Sequence, residues 1–303
     1  MRPSTGHKVR WAELLPGEFK ARLAACPIVY LPLGICEPHG QVSAFGLDTF
    51  KAEWLCEEAA RRTGGIVAPT MGYHIHEAGY HARWLEEEVG EENPHMTGIP
   101  PAVMLHFFLY QLRAFANAGF RSIVVVSGHS GGNQRDLRAV AELFMKRVPQ
   151  VRVWARSDPE LVEGLYEGDH AGKYELSQMM YLRPELIDME ARALERVPEA
   201  GGRLALGADA DEATAELGER IMKACLRRLC EETERLKAEG WPQAEKPPVI
   251  GYDEVERIWS EALRDSGAWV TGRPWPAQQA VSETSRWKPY EYYRASDQKE
   301  GAG

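Results

Sequence analysis

The run Ile28-Val-Tyr-Leu-Pro-Leu-Gly-Ile-Cys-Glu37-Pro-His39-Gly40 decides how the rest of the chain is read. Residues 28–33 are apolar, partly β-branched, and end at Gly34, which predicts a buried strand. The nearly apolar stretch 27–36 is too short to cross a bilayer. A potential acid and a potential metal ligand, Glu37 and His39, follow the strand directly. Beyond a polar loop, 48–62 reads as a helix, with Asp48 placed to cap its N-terminus and Gly64-Gly65 to stop it.

The same alternation continues along the chain. Residues 66–69 read as a second strand. A long helix over 101–118 has proline in its first turn and Gly119 past its end. Residues 122–126 form a third strand, followed by a Gly-rich turn, a helix over 133–147 and a fourth strand over 151–155. This order predicts an α/β chain with a mostly parallel sheet and helices on both faces. Three regions break the rhythm. Residues 70–100 lack periodicity, and a loop this long inside a domain is usually functional or disordered. Residues 209–239 read as a charge-rich amphipathic helix, or a pair, that closes the domain. Past 247 come Trp259, Trp269, Trp275, Trp287, Tyr290, Tyr292 and Tyr293. We therefore expect one domain over 1–246 and a C-terminal extension over 247–303 that packs on the core or on a neighbouring subunit.

The chain has 303 residues, 44% hydrophobic and 27% charged, with a formal net charge of -9. That length can bury a core without disulfides or structural metals. The negative balance argues against nucleic acid or an anionic membrane as partner, because phosphates need a positive field. The first fifteen residues carry charges where a signal peptide needs an apolar stretch. Five cysteines form no Cys-x-x-Cys pair and are odd in number, which fits a reducing compartment. The expectation is a cytoplasmic protein.

In open parallel sheets, ligands bind outside the carboxyl ends of the strands. The first strand runs into Glu37 and His39. The third runs into Ser127-Gly128-His129-Ser130-Gly131-Gly132-Asn133, and Asp48 opens the helix after the first loop. Gly168-Asp169-His170-Ala-Gly-Lys-Tyr-Glu175 follows the fourth strand and a short helix. Singly, each has a plainer role: Asp48 as an N-cap, His129 as a core or turn histidine, Glu37 and Glu175 as solvated carboxylates. Together, two histidines and three carboxylates converge on one sheet edge. Mixed imidazole and carboxylate donors suit Zn²⁺, Mn²⁺ or Fe²⁺ rather than Mg²⁺ or Ca²⁺. Five donors exceed what one open catalytic zinc takes and suffice for a pair of ions with one bridging carboxylate. His74 and His76 would share a face if extended. With no carboxylate pattern beside them, they are read with Tyr73, His81, Trp84 and His95 as lid or surface residues.

Gly128-x-Ser130-x-Gly132 also matches the nucleophile elbow of serine hydrolases, between a strand and a helix as that motif requires. The only histidine after Ser130 is His170, too soon for the remaining strands of that fold. The elbow also leaves Glu37, Asp48 and Glu175 without a task. A binding subunit without turnover is a second rival, and five retained donors argue against it. No Gly-Lys-Ser/Thr follows the Gly-rich turn, which weakens a nucleotide site.

The same stretches resemble the creatininase (creatinine amidohydrolase) family. The strand followed by Glu37-Pro-His39-Gly40 and Gly46-Leu-Asp48 is similar to its first motif. Gly128-His129 with Gly131-Gly132-Asn133 resembles its Gly-His-Gly-Gly-Asn turn. His170-Ala-Gly-x-x-Glu175-x-Ser177, then Leu182-Arg-Pro-Glu-Leu-Ile-Asp188, resembles its later segment. The motifs run in family order over about 27–190. There are departures: Pro38 stands where a polar residue is usual, Ser130 looks inserted, and Lys173 and Leu176 replace Glu and Thr.

The resemblance implies a three-layer α/β/α fold and two divalent metal ions per chain, zinc first, with manganese or iron as alternatives. Glu37, His39, Asp48, His129 and Glu175 would be the ligands, Asp48 the bridge, and the chain a homo-oligomer, often a hexamer. The expected activity is hydrolysis of a cyclic or linear C–N amide bond of a small polar substrate by a metal-bridging hydroxide. His170, near the leaving group, and Glu175 would be catalytic. Ser130, Tyr166, Asp169, Trp154 and His81 are the expected substrate contacts. A C–C bond in a cyclic ketone is the alternative within the family.

Overall fold

A strand apolar on both faces must be covered on both, and this requirement organises the molecule. The computed structural model describes residues 8–76, 82–89, 96–195, 197, 204–241, 249–272 and 279–285. Strand β1 (Ile28–Leu33) is buried throughout and lies parallel to β5 (Ser122–Ser127), with Ile28 opposite Ser122 and Leu33 opposite Ser127. On its other side β1 pairs with β2 (Ile66–Val67), and β5 pairs in parallel with β6 (Arg152–Ser157). The order is β2-β1-β5-β6.

Alternate side chains leave β1 and β5 for opposite layers. Val29, Leu31, Leu33, Ile123 and Val125 meet helices α4 (Pro101–Ala118), α5 (Asn133–Arg147) and α9 (Tyr252–Arg264), with Phe108, Phe144, Ile258 and Trp259 among the contacts. Ile28, Tyr30, Val124 and Val126 meet α2 (Leu47–Thr63) and α8 (Ala215–Ala238) through Leu55, Cys56, Met222 and Leu226. The result is three layers, as the element order implied. Helix α1 (Pro16–Ala25) brings Phe19 against Trp11 at 4.7 Å on the first side.

Several expected elements fall at different bounds for identifiable reasons. Helix α2 starts at Leu47 with Gly46 as its N-cap, so Asp48 is inside the first turn rather than capping it. The 209–239 region divides: a 3₁₀ turn at Ala210–Glu212 precedes α8, whose start is set by Thr214 Oγ1 accepting from Leu217 N at 3.1 Å. The aperiodic 70–100 stretch contains β3 (His74–Ile75) and β4 (Gly98–Ile99), paired in parallel, with α3 (Ala82–Glu88) between them. Beyond β6 come α6 (Asp158–Leu161) and α7 (Lys173–Leu182). In the C-terminal stretch Trp259 and Trp269 stack at 5.8 Å and join the core; Trp275, Trp287, Tyr290, Tyr292 and Tyr293 lie outside the described residues.

Two glycines let α2 wedge its first turn between the ends of β1 and β5. A Cβ on Gly34 would stand 2.5 Å from Thr49 Cα, and one on Gly128 would collide with the Asp48 carbonyl oxygen. Gly128→Ala must therefore push α2 outward, a form of overpacking worth about 1–3 kcal/mol. Urea denaturation should show a lowered midpoint at unchanged slope. An unaltered midpoint would mean that the close approach does not hold Asp48 at the sheet edge.

Candidate metal centre

Five side chains from four separate segments meet where β1 and β5 end. Glu37 and His39 come from the loop after β1, which Glu37 N→Phe45 O (3.1 Å) and Cys36 N→Thr97 Oγ1 (2.9 Å) hold in place. Asp48 comes from the first turn of α2. His129 follows β5 on a turn fixed by Ser127 Oγ donating to the His129 carbonyl at 2.6 Å. Glu175 lies in the first turn of α7, where the helix N-terminus favours an anion, and accepts from Ala171 N at 2.9 Å. Ala171 has φ 48°, a left-handed conformation that closes the His170-to-Glu175 turn. All five donors are buried, His39 completely.

Their ligand atoms form two groups that share Asp48, and a third group joins Glu37 and His39 to His170. Glu37, Asp48 and His129 make the first, with His129 Nδ1 2.9 Å from Glu37 Oε1 and 3.4 Å from Asp48 Oδ2. His39, Asp48 and Glu175 make the second, with His39 Nε2 3.5 Å from both Asp48 Oδ1 and Glu175 Oε2. His39 Nδ1 lies 3.0 Å from the Glu37 carbonyl oxygen and donates to it, which leaves Nε2 turned to the carboxylates. Neither His39 Nε2 nor either oxygen of Asp48 makes a hydrogen bond, although all three atoms are buried. Asp48 Oδ1 has an ion pair with the Lys51 ammonium at 3.1 Å, and buried imidazole and carboxylate donors left without hydrogen bonds are what a divalent cation completes.

His170 sits at the edge of the cluster with its ring stacked on His39, centroids 4.6 Å apart, and its side chain 23% exposed. Its Nε2 donates to the Pro38 carbonyl at 2.8 Å, and its Nδ1 faces Glu175 Oε2 at 3.9 Å and Glu37 Oε1 at 4.0 Å. Trp84 from α3 meets the same ring edge-on at 5.6 Å.

The family model described as "Creatininase: Creatinine amidohydrolase" matches residues 12–233. The chain belongs to the creatininase family. The creatinine amidohydrolase of Pseudomonas putida is 26% identical over 254 residues, covering 72% of this chain and 94% of that protein. The 3-dehydro-scyllo-inosose hydrolase of Thermotoga maritima is 26% identical over 191 residues, covering 57% of this chain and 56% of that one. A solved manganese creatininase shares the fold with a TM-score of 0.62 at 22% identity, covering 78% of this chain and 100% of that one. A glutamine variant of creatininase, of zinc–zinc type, does so with 0.61 at 23%, covering 78% and 99%. The creatininase-like fold and a hydrolase of this family are thereby established.

The other residues singled out in the sequence fall in different places. Ser130 is half-buried on the turn before α5, and among the described residues no histidine hydrogen-bonds it. Asp169 is exposed and accepts from His170 N at 2.8 Å; with Tyr166 it lines a cleft of about 620 Å³ beside Lys173 and Asp209. Trp154 is mid-strand in β6 and faces a separate cleft with Arg156, Arg228 and Arg235, so it does not reach the cluster. His81 and His95 lie outside the described residues. The lid-or-surface reading of His74 and His76 is overturned, because both are buried. His76 Nε2 is 3.9 Å from Glu37 Oε2, and the His74 ring backs His129 at 5.4 Å.

Sequence reasoning missed Lys51 and Asp158. Lys51 is wholly buried, its Nζ 2.6 Å from Glu175 Oε1, 3.1 Å from Asp48 Oδ1 and 3.5 Å from Asp158 Oδ1. The signal was available: Lys51 follows Asp48 by three and precedes Leu55 by four, so it lies on the inward face of α2. Asp158 Oδ2 accepts from Tyr174 and Gln178 at 3.1 and 2.9 Å, and burial raises its carboxyl to about 6 against the pull of Lys51.

Burial works against charge on every member of the cluster, yet mutual attraction wins for most. His39 is lifted to about 10, desolvation being outweighed by Asp48 and Glu175, and His129 is raised by Glu37 and Asp48. Asp48 and Glu175 are lowered, with Lys51 and His39 outweighing desolvation. His74 is pushed down to about 3 by burial and by His129. A histidine with a raised folded value contributes stability below its ordinary value, which is lost as pH climbs through the folded one. The lowered carboxylates act on the acid side, where stability falls with pH. Chelator-stripped protein should therefore lose stability progressively between pH 6.5 and about 10. His39→Gln should flatten that decline, as followed by urea midpoints at several pH values. An equal decline in the variant would show that the imidazole is not held charged by its neighbours.

Proposed function

We propose that this chain is a metal-dependent hydrolase that opens a C–N amide bond in a small polar substrate, with His170 moving the proton. The observation that carries this is the pair of donor groups sharing Asp48. Glu37, Asp48 and His129 would hold one divalent ion, and His39, Asp48 and Glu175 a second. Zinc leads, with manganese or iron as alternatives; the related solved creatininases include manganese and zinc–zinc forms. Such ions, when bound, supply Lewis acidity that polarises a carbonyl and lowers the pKa of water to near neutrality.

The chain's own residues supply the rest. An amide nitrogen is a poor leaving group as an anion, so it needs a proton as the C–N bond breaks. His170 is placed to move one, because its Nε2 is tied to the Pro38 carbonyl and its Nδ1 is turned to the cluster. Imidazole can take a proton from attacking water and return it to the departing nitrogen at neutral pH. Trp84 and the His39 ring hold His170 between them. Tyr166, Asp169 and Ser130 are proposed to contact the substrate from the rim.

A second reading has support from one relative. The Thermotoga maritima protein, which carries the name of a 3-dehydro-scyllo-inosose hydrolase, matches as well per residue as the creatinine amidohydrolase does. Hydrolysis of a C–C bond beside a cyclic ketone uses the same carbonyl polarisation. The proposed setting is a cytoplasmic homo-oligomer. The five cysteines are all free, and Val103 and Phe107 of α4 are half-exposed apolar side chains on which a second copy can pack.

Elemental analysis should find about two equivalents of Zn, Mn or Fe per chain, lost in the double variant His39→Ala, Asp48→Ala. Protein that folds, holds no metal and cannot be reconstituted rules the mechanism out. His170→Ala should keep its metal while turnover drops about 10²–10⁴-fold on whichever amide, lactam or cyclic ketone the native protein cleaves. Unchanged turnover removes His170 from the chemistry.

A further inference from the structure

The C-terminal stretch lies beyond the creatininase-matched part of the chain, yet it meets the surroundings of the metal centre at two places. The first is the start of α5. Asp136, buried in the first turn of that helix, accepts from Val270 N at 2.9 Å, Thr271 N at 3.0 Å and Thr271 Oγ1 at 2.5 Å. Val270 also lies against Gly132, where a Cβ would stand 2.7 Å from Val270 Cγ1. Gly132 ends the turn that carries His129. The second place is α3. Val281 packs on the small apolar cluster of Ala82 and Leu85. Ser282 donates to Glu86 Oε1 from its hydroxyl at 3.0 Å and from its amide at 3.3 Å, and buried Ser285 hydrogen-bonds the same carboxylate.

We infer that the C-terminal stretch is a strap that fixes one wall of the reaction site: residues 281–285 grip α3 so that Trp84 stays over His170 and access is narrowed to small substrates. This rests on the reading of His170 as the proton carrier above. Helix α3 has seven residues, of which Ala82 and Leu85 are buried. A helix so short has little stability of its own, so its place is set by what holds it. One hold is the strap. The other is the Glu88 carbonyl, which accepts from Ala205 N at 3.2 Å, beside Leu204 O accepting from Gly40 N at 2.7 Å. With the strap loosened, α3 keeps only that attachment, and Trp84 is free to leave the His170 ring that it meets edge-on at 5.6 Å. Val281 and Ser282 act through α3 and are therefore positioning residues.

The test is carbethoxylation of the zinc-loaded full chain by diethyl pyrocarbonate at fixed pH, in native protein, Val281→Asp and Val281→Ile. Peptide mass spectrometry follows His170 and His106 separately. His106, stacked on Trp259 at 4.6 Å on the α4–α9 face, is the internal standard. Aspartate at 281 puts a charge into the contact with Ala82 and Leu85, and should raise the His170-to-His106 rate ratio about threefold or more. Val281→Ile keeps the apolar contact and should stay close to native. A general loosening of the fold would speed both histidines alike and leave the ratio unmoved. On whichever amide, lactam or cyclic ketone the native protein cleaves, Val281→Asp should raise KM about threefold or more at unchanged zinc content. An unchanged ratio in folded Val281→Asp overturns the inference. Should that variant not fold, Glu86→Ala, which removes the acceptor of both Ser282 bonds, decides by the same ratio. A native chain that hydrolyses none of these substrates removes the proposed function instead, and the ratio still decides whether the strap shields His170.

Discussion

Negative charge gathered out of water is the constraint to which the rest of the structure answers. Glu37, Asp48, Asp158 and Glu175 are all buried, and they reach the same place from the β1 loop, α2, α6 and α7. Carboxylates packed this way repel strongly in a medium of low dielectric, and an uncompensated buried charge costs several kcal/mol. Lys51 and the imidazoles of His39 and His129 supply counter-charge within the protein. The parallel sheet makes the gathering possible, since it ends all its strands at one edge and backs that edge with two apolar layers.

Much of this was legible in the sequence where one physical signal dominated. The β1 run, the helices at Pro101–Ala118 and Asn133–Arg147, and the convergence of Glu37, His39, Asp48, His129 and Glu175 follow from apolar runs, helix punctuation and strand-end placement. The legible part fades where tertiary contact overrides local preference. Asp48 resembles an N-cap by type, but Gly46 takes that position because α2 has to begin earlier to fit between β1 and β5. Without a carboxylate pattern beside them, His74 and His76 read as lid or surface residues. A two-residue strand pairing with Gly98–Ile99 turns them inward instead, and nothing local announces that pairing. Trp154 was misplaced by proximity to a strand end, whereas its strand parity sends it toward α8.

The candidate donors and the residues proposed to contact substrate come from different kinds of segment. Donors sit on the loop after β1, on the turn after β5 and in the first turns of α2 and α7, which the sheet fixes in space. Trp84, Tyr166 and Asp169 sit on connections outside the sheet. Two relatives, each 26% identical to this chain over 254 and 191 residues, carry the names of different hydrolases.

The hydrogen bond from His170 to residue 38 bears on what that position can hold. The acceptor is a main-chain carbonyl, so the mooring of the imidazole does not depend on which side chain occupies position 38. The side chain there, a proline in this chain, can change without removing the acceptor. The His170 ring keeps Nε2 as its donor throughout. The side chain at position 38 and the orientation of the neighbouring imidazole are thereby separable properties.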